Sequence, residues 1–270
     1  MHHHRPYSQL TNPDILTMST VPTALITAGS AGLGAATATL FARAGYNVAV
    51  NFASDRSRAA ALCESLSSVS PLPRDQQKFH PVRADLADKS QLPALVADAV
   101  ALLGGRLDVV FSNGGWTRVR DISDLDDNLD EEDWDRCFTM NVKSHLFLMK
   151  AAREHLEESE GAFITTASLA GVKVSGSSMA YSVTKAAQIH LVKALAIAAG
   201  PRIRVNSVSP GLLLTDWGMQ FSPEQREATL QKTRLKRLPT VDDVAEQVLV
   251  FAKSRTVTGA NAVIDGGMSL

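Results

Sequence analysis

Cysteine is scarce in this chain of 270 residues, with Cys63 and Cys137 the whole complement. Two thiols so far apart form no metal-ligand spacing and no disulfide framework. Both are expected to be reduced and buried, in a reducing, cytoplasmic setting. An excess of charge is missing too: 27 Lys and Arg stand against 28 Asp and Glu, a formal net charge of −1. A nucleic-acid partner would call for a basic footprint, and there is none. No apolar run approaches the ~18 residues of a membrane-spanning helix, so no membrane partner is expected. The histidines have no partners at ligand spacing, so no metal site is expected. The stretch MHHHRPYSQLTNPDILTMST lacks the apolar core of a signal peptide. Residues 1–20 read as a flexible N-terminal tail unless they dock on the body.

Hydrophobic residues make up 45% of the chain, enough for one large core. They come in short Val- and Ile-rich runs that alternate with helical patterns. Strands are expected at 23–27, 46–52, 78–86, 106–113, 161–168, 203–211 and 261–267. Helices are expected at 32–44, through about 66, and at 89–104, 131–157, 180–199, 223–232 and 240–253. Strict alternation of buried strands and helices means a seven-stranded parallel sheet with helices on both faces. One doubly wound α/β domain over 21–270 accommodates all of it.

The stretch ITAGSAGLG at 26–34 joins the first strand to the first helix. Glycines at such a turn let a backbone pass close to a pyrophosphate, and the helix N-terminus offers unpaired N–H groups. The spacing is not G-x-G-x-x-G, and a tight turn of small residues is the alternative. Ala28 heads the loop, where a residue with φ > 0 would favour glycine. Ala28 is therefore expected at φ < 0, with Gly29, Gly32 or Gly34 taking any special conformation.

Further along, Tyr181 and Lys185 lie four apart and share one helix face. A nearby ammonium favours the phenolate over its ordinary pKa near ~10. Such a tyrosine can pass a proton to or from an alcohol or carbonyl oxygen. Ser168 ends the fifth strand, and strand C-termini are where open α/β sheets bind ligands.

Taken together, these residues resemble the classical short-chain dehydrogenase/reductase family. The resemblance covers about 21–270 and implies a single Rossmann-type domain. The family loop T-G-x-x-x-G-x-G is matched at Thr27, Gly32 and Gly34, with Gly29 its frequent second glycine and Ala28 in place of the first. Asp85 in ADLAD, Asn113-Gly114-Gly115, Asn141 in MNVKS, Pro210-Gly211, Thr215 and the final DGG fall in the family's order. Ser168, Tyr181 and Lys185 keep its spacing of thirteen and four. The resemblance implies Tyr181 as proton donor or acceptor, Lys185 tuning it and holding the nicotinamide ribose, Ser168 polarising the substrate oxygen, and Asn141 holding a relay water. It implies cofactor contacts along Thr27, Gly29, Ser30, Gly32, Leu33, Gly34, Phe52, Ser54, Arg56, Asp85, Leu86, Asn113, Gly114, Gly115, Pro210, Gly211, Leu213 and Thr215.

Members that prefer NAD carry an acid at the end of the second strand. Phe52 stands there, followed by Ser54, Arg56 and Arg58. Arginine pairs well with phosphate, so NADP(H) is favoured, with NAD(H) the alternative. Ala31 occupies the loop position where many NADP-dependent relatives have a basic residue. Asp55 is read as a cap of the next helix.

Substrate is expected above the nicotinamide, against Trp116, Val174, Met179, Trp217 and Met219. The acidic stretch 121–135 reads as a solvated loop and helix start, and argues against docking an acidic carrier protein there. The implied activity is interconversion of a ketone and a secondary alcohol, as in a carbonyl reductase. The alternatives are a 3-oxoacyl-thioester reductase, an isomerase or cyclase on the same scaffold, and a non-catalytic cofactor binder. A homotetramer or dimer is expected.

Overall fold

A computed structural model describes residues 21–73 and 76–270. The tail expected at 1–20 lies outside the described residues. Seven strands form one parallel sheet: β1 (Thr23–Ile26), β2 (Asn47–Phe52), β3 (Phe79–Arg83), β4 (Val109–Ser112), β5 (Ala162–Thr166), β6 (Arg204–Pro210) and β7 (Asn261–Ile264). Their order is β3-β2-β1-β4-β5-β6-β7. Among the described residues eight α-helices connect and flank them: α1 (Gly32–Arg43), α2 (Arg56–Val69), α3 (Leu92–Leu103), α4 (Glu131–Phe138), α5 (Ser144–Ser159), α6 (Met179–Ala199), α7 (Pro223–Lys232) and α8 (Val241–Lys253).

The sheet is buried on both sides. In β1, Ala24 and Ile26 pack into one core with Phe41 of α1 and Val248 of α8. Leu25, between them, points the other way, into a second core with Leu95 of α3, Leu148 of α5 and Val192 of α6. That alternation is the period of two of a strand. It explains why these strands carry apolar residues on both faces. The strand order reverses between β1 and β4, and β1 is hydrogen-bonded to both β2 and β4. Ligand crevices in open α/β sheets open at such a switch, outside the strands' C-terminal ends.

Two local features differ from expectation. The helix expected over 131–157 contains a π-helical turn at Thr139–Lys143, between α4 and α5. Such single π turns inside α-helices are frequent at functional sites. Asn141 lies within this one: its Oδ1 accepts from Trp116 N–H at 2.8 Å, and its Nδ2 donates to Trp116 O at 2.9 Å and Thr184 Oγ1 at 3.0 Å.

Ala28 is the second. Its φ is +46°, not negative. The turn leaving β1 is fixed from β2: Asn51 Oδ1 accepts from Ala28 N–H at 3.1 Å, and Asn51 O from Gly29 N–H at 2.8 Å. Buried Asn51 is itself anchored by donating to Ala84 O at 3.1 Å. Holding alanine in the left-handed region costs about 1–2 kcal/mol. The loop therefore carries left-handed residues at both Ala28 and Gly32 (φ +50°).

Candidate active site

At the C-terminal edge, the loop after β1, the ends of β4 to β6 and the segment 212–232 enclose a cavity of about 830 Å³. Gly32, Leu33, Asn113, Gly115, Ser168, Tyr181, Lys185, Pro210, Gly211, Leu213, Thr215 and Trp217 all line it. Thr27 lies beneath, tying β1 to β4: its Oγ1 donates to Phe111 O at 3.3 Å and accepts from Asn113 N–H at 2.9 Å. Leu86 packs where any side chain at Gly114 would have to go. Ser30 is half-buried in the loop, and Phe52 is buried at the end of β2. Ser54 and Asp85 line a separate cleft with Ala53, Arg83 and Gln91.

Gly29 and Gly34 are required for the loop to close on itself, and Gly32 keeps open the space that a phosphate group would take. A Cβ at Gly29 would stand 2.7 Å from Ile26 O, and one at Gly34 would strike Ala28 O. A Cβ at Gly32 would reach to 3.1 Å from Thr215 and close the gap between loop and segment 212–232. The helix that follows, α1, starts at Ala31 with no side-chain cap. Its first-turn N–H groups thus face the cavity mouth without a side-chain acceptor, the arrangement that suits an anion.

On the opposite wall, α6 positions Tyr181 and Lys185 on one face. Ser178 caps this helix by accepting from Tyr181 N–H at 3.1 Å. Gly171, just after Ser168, packs against the α6 backbone: a Cβ there would lie 2.6 Å from Lys185 O. Ser168 Oγ accepts from Ala170 N–H at 3.1 Å, and Ser168 and Tyr181 line the same cavity. The buried Lys185 ammonium donates to Thr166 O at 2.8 Å and Gln188 Oε1 at 2.9 Å, and Nζ lies 5.6 Å from the Tyr181 ring centre. Gly115 separates it from Asn141: a Cβ there would sit 3.3 Å from Asn141 Oδ1 and 3.5 Å from Lys185 Nζ.

Burial dominates the electrostatics. It pushes the Tyr181 phenol up to about 12, opposed by the neighbouring Ser168 hydroxyl. It pulls the Lys185 ammonium down to about 7. The sequence pointed to a phenolate favoured by its neighbour; this site instead favours the neutral phenol, the form that donates a proton. Burial also raises Cys63 to about 12 and Cys137 to about 11, which leaves both thiols unreactive. His145 is buried behind the site, bonded through Nδ1 to Ser112 Oγ at 2.6 Å, and burial pulls it down to about 3.

The substrate side needs correction. Of the five residues expected to line it, only Trp217 does, its ring 6.2 Å from that of Tyr181. Trp116 instead stacks under Arg136, 4.6 Å from its guanidinium. Val174 is 82% exposed. Met179 lies at the start of α6, its N–H donated to Asn128 Oδ1 at 2.8 Å. Met219 turns outward against Arg226 Nη1 at 2.8 Å. A 3-10 turn at Gly218–Gln220 rotates the chain between Trp217 and Phe221 and brings Phe221 inward. Leu212, Phe221 and Met268, which the sequence did not single out, line the cavity in their place. Gln188 was also missed, although its i, i+3 spacing from Lys185 on α6 was a usable signal.

The acidic stretch is largely exposed and α4 starts within it, at Glu131, as expected, but three of its carboxylates also form a clasp. Arg120 is gripped by Asp127, Asp130 and Asp133 at 3.3, 2.9 and 2.7 Å, and Arg118 by Asp133 at 3.0 Å. These pairs fold the loop after β4 against α4.

Comparison with known proteins agrees with the geometry. A family model described as enoyl-(acyl carrier protein) reductase matches residues 27–269. The 3-oxoacyl-[acyl-carrier-protein] reductase FabG of Staphylococcus aureus is 31% identical over 255 residues, covering 93% of this chain and 99% of the relative. Among solved structures, a short-chain dehydrogenase from Burkholderia cenocepacia J2315 in complex with NADP is 30% identical, with a TM-score of 0.82 over 92% of this chain and 98% of that one. A 7α-hydroxysteroid dehydrogenase complexed with NADH and 7-oxo glycochenodeoxycholic acid is 27% identical, also at 0.82, over 91% and 93%. The chain belongs to the short-chain dehydrogenase/reductase family. It is an oxidoreductase of that family on a seven-stranded Rossmann-type fold. Among the described residues no helix is long and apolar enough to cross a membrane.

Proposed function

We propose that this chain is an NADP(H)-dependent carbonyl reductase that interconverts a ketone and a secondary alcohol. One observation carries the reading: Ser168, Tyr181 and Lys185 line one cavity that is walled by Leu212, Trp217, Phe221 and Met268. The glycine loop and the α1 N-terminus would hold the pyrophosphate, and Lys185, Pro210, Gly211 and Thr215 would hold the nicotinamide end. When bound, the cofactor supplies the hydride. Ser168 and Tyr181 together grip the substrate oxygen, and Tyr181 gives it the proton that completes the alcohol. The Lys185 ammonium, buried with no carboxylate in contact among the described residues, would stabilise the phenolate that forms, and with its pKa lowered by burial it can give the phenolate a proton in return. Asn141 spends its side chain on Trp116 and Thr184. We assign it to holding the π turn, which shapes the wall behind Lys185.

The apolar wall supports a medium-sized apolar ketone. The relation to FabG supports a 3-oxoacyl thioester as the second reading. The absence of a carboxylate at Phe52 supports NADP(H) over NAD(H). NADPH consumption across a panel of cyclic, aromatic and 3-oxoacyl-thioester substrates tests the activity. Turnover with the panel is expected. Cofactor binding with no oxidation by any ketone would overturn it. The KM ratio of NADPH to NADH tests the cofactor, and light scattering tests for the tetramer or dimer.

A further inference from the structure

The geometry points to Arg83, on the edge strand, as the residue that selects a 2′-phosphate on the adenosine ribose, in place of Arg56 or Arg58. The inference rests on the reading that the chain binds a nicotinamide dinucleotide. In this topology the ribose 2′-position meets the end of β2. Phe52 occupies that end, and its register partner across the ladder is Arg83 of β3. Arg83 therefore starts beside the very position where an acidic residue would select the unphosphorylated ribose.

Its side chain is drawn across the end of β2 by the bond from Nε to Ala53 O at 3.2 Å. That bond uses one donor edge and leaves the two Nη nitrogens of the fork available to an oxyanion. Arg83 lines a cleft with Ala53, Ser54, Asp85 and Gln91, so Ser54 borders the same space. Asp85 is the carboxylate of that cleft. Its Oδ1 accepts from Ala87 N–H at 2.9 Å, and Gln91 Oε1 accepts from Asp85 N–H at 2.9 Å. These bonds fix the Asp85 backbone and one of its carboxylate oxygens to the chain just beyond it.

The two arginines that the sequence suggested are placed differently. Arg58 is engaged by Asp55 at 3.6 Å and by Asp216 at 3.3 Å. A phosphate there would have to displace two carboxylates. Arg56 is exposed at the start of α2 and does not line the cleft. Neither is a register neighbour of Phe52.

Binding of 2′,5′-ADP and of 5′-AMP to the full chain, by calorimetry and without any turnover, tests the assignment. The unaltered chain is expected to bind 2′,5′-ADP at least tenfold more tightly than 5′-AMP. Arg83→Gln is expected to erase most of that ratio by weakening 2′,5′-ADP alone, and Arg83→Lys to restore part of it. Arg56→Gln and Arg58→Gln are comparators, each expected to lose less than threefold. An unchanged ratio in Arg83→Gln, or a larger loss in either comparator, overturns the inference while leaving dinucleotide binding intact. Preference of the unaltered chain for 5′-AMP overturns it together with the NADP(H) reading. Failure to bind either nucleotide overturns dinucleotide binding itself and this inference with it. Thermal melting of the variants, all at exposed positions, reports that they remain folded.

Discussion

The two walls of the cavity are built on opposite plans. The α6 wall is buried and cross-bonded: Lys185, Gln188, Thr184 and Asn141 are each less than 4% exposed and hydrogen-bonded to neighbours. The facing segment, 212–232, is short turns and α7, a helix with no buried residue. Rigid placement of a proton donor needs many bonds made at once, because a displacement of about 1 Å is enough to lose catalysis. A surface that admits substrate needs few, since local stability is low where little apolar area is buried. Changes on the first wall are thus expected to reach kcat, and changes on the second KM.

The largest effect is expected from Tyr181→Phe. Turnover should fall by a factor of about 10²–10⁴, while dinucleotide binding by fluorescence titration stays as it was. Retained turnover would remove Tyr181 from its role and with it the contrast between the walls.

Next comes acid sensitivity from the layer behind Lys185. Folding holds His145 at about 3, below its ordinary 6.5, so the unfolded chain takes up the proton first. Stability is then full above pH 6.5 and falls as pH drops toward 3, by on the order of a few kcal/mol. Urea unfolding at pH 7, 5.5 and 4.5 measures the slope. His145→Gln should flatten it over that window, at the cost of a lower starting stability.

A smaller effect is expected in the loop. Ala28→Gly relieves the left-handed strain and should stabilise the fold by about 1 kcal/mol, read as a rise in Tm. A destabilising outcome would mean that the alanine methyl makes a compensating contact.

The smallest effect is expected from Trp217→Ala on the second wall. A several-fold rise in KM with kcat little changed is the expected result in steady-state assays. A fall in kcat as large as that of Tyr181→Phe would show that the two walls act as one unit.

Much of the site was legible because the chemistry lies at short spacings on regular elements. Tyr181 and Lys185 share a face of α6 by the helical period alone. The seven strands stood out because a parallel sheet buried on both faces needs continuous apolar runs. Legibility failed where the chain leaves regular structure. Met219 and Phe221 are two residues apart in an irregular turn, and only the rotation of that turn decides which of them faces inward. The π turn at Asn141 was invisible because the sequence there has ordinary helical patterning. Within it Asn141 is bonded to Trp116, twenty-five residues earlier, a partner that local patterning does not reveal.

By itself, then, the sequence determined the alternating α/β order, the place of the glycine loop, and the tyrosine, lysine and serine that meet at the strand ends. Each follows from local periodicity or from residue chemistry at fixed spacing. Tertiary structure alone decided the left-handed turn at Ala28, the protonated state that burial gives Tyr181, the identity of the apolar wall, and the placement of Arg83 beside Phe52. All four depend on what a distant strand or loop brings into contact, and that is set by packing and strand register, not by neighbouring residues.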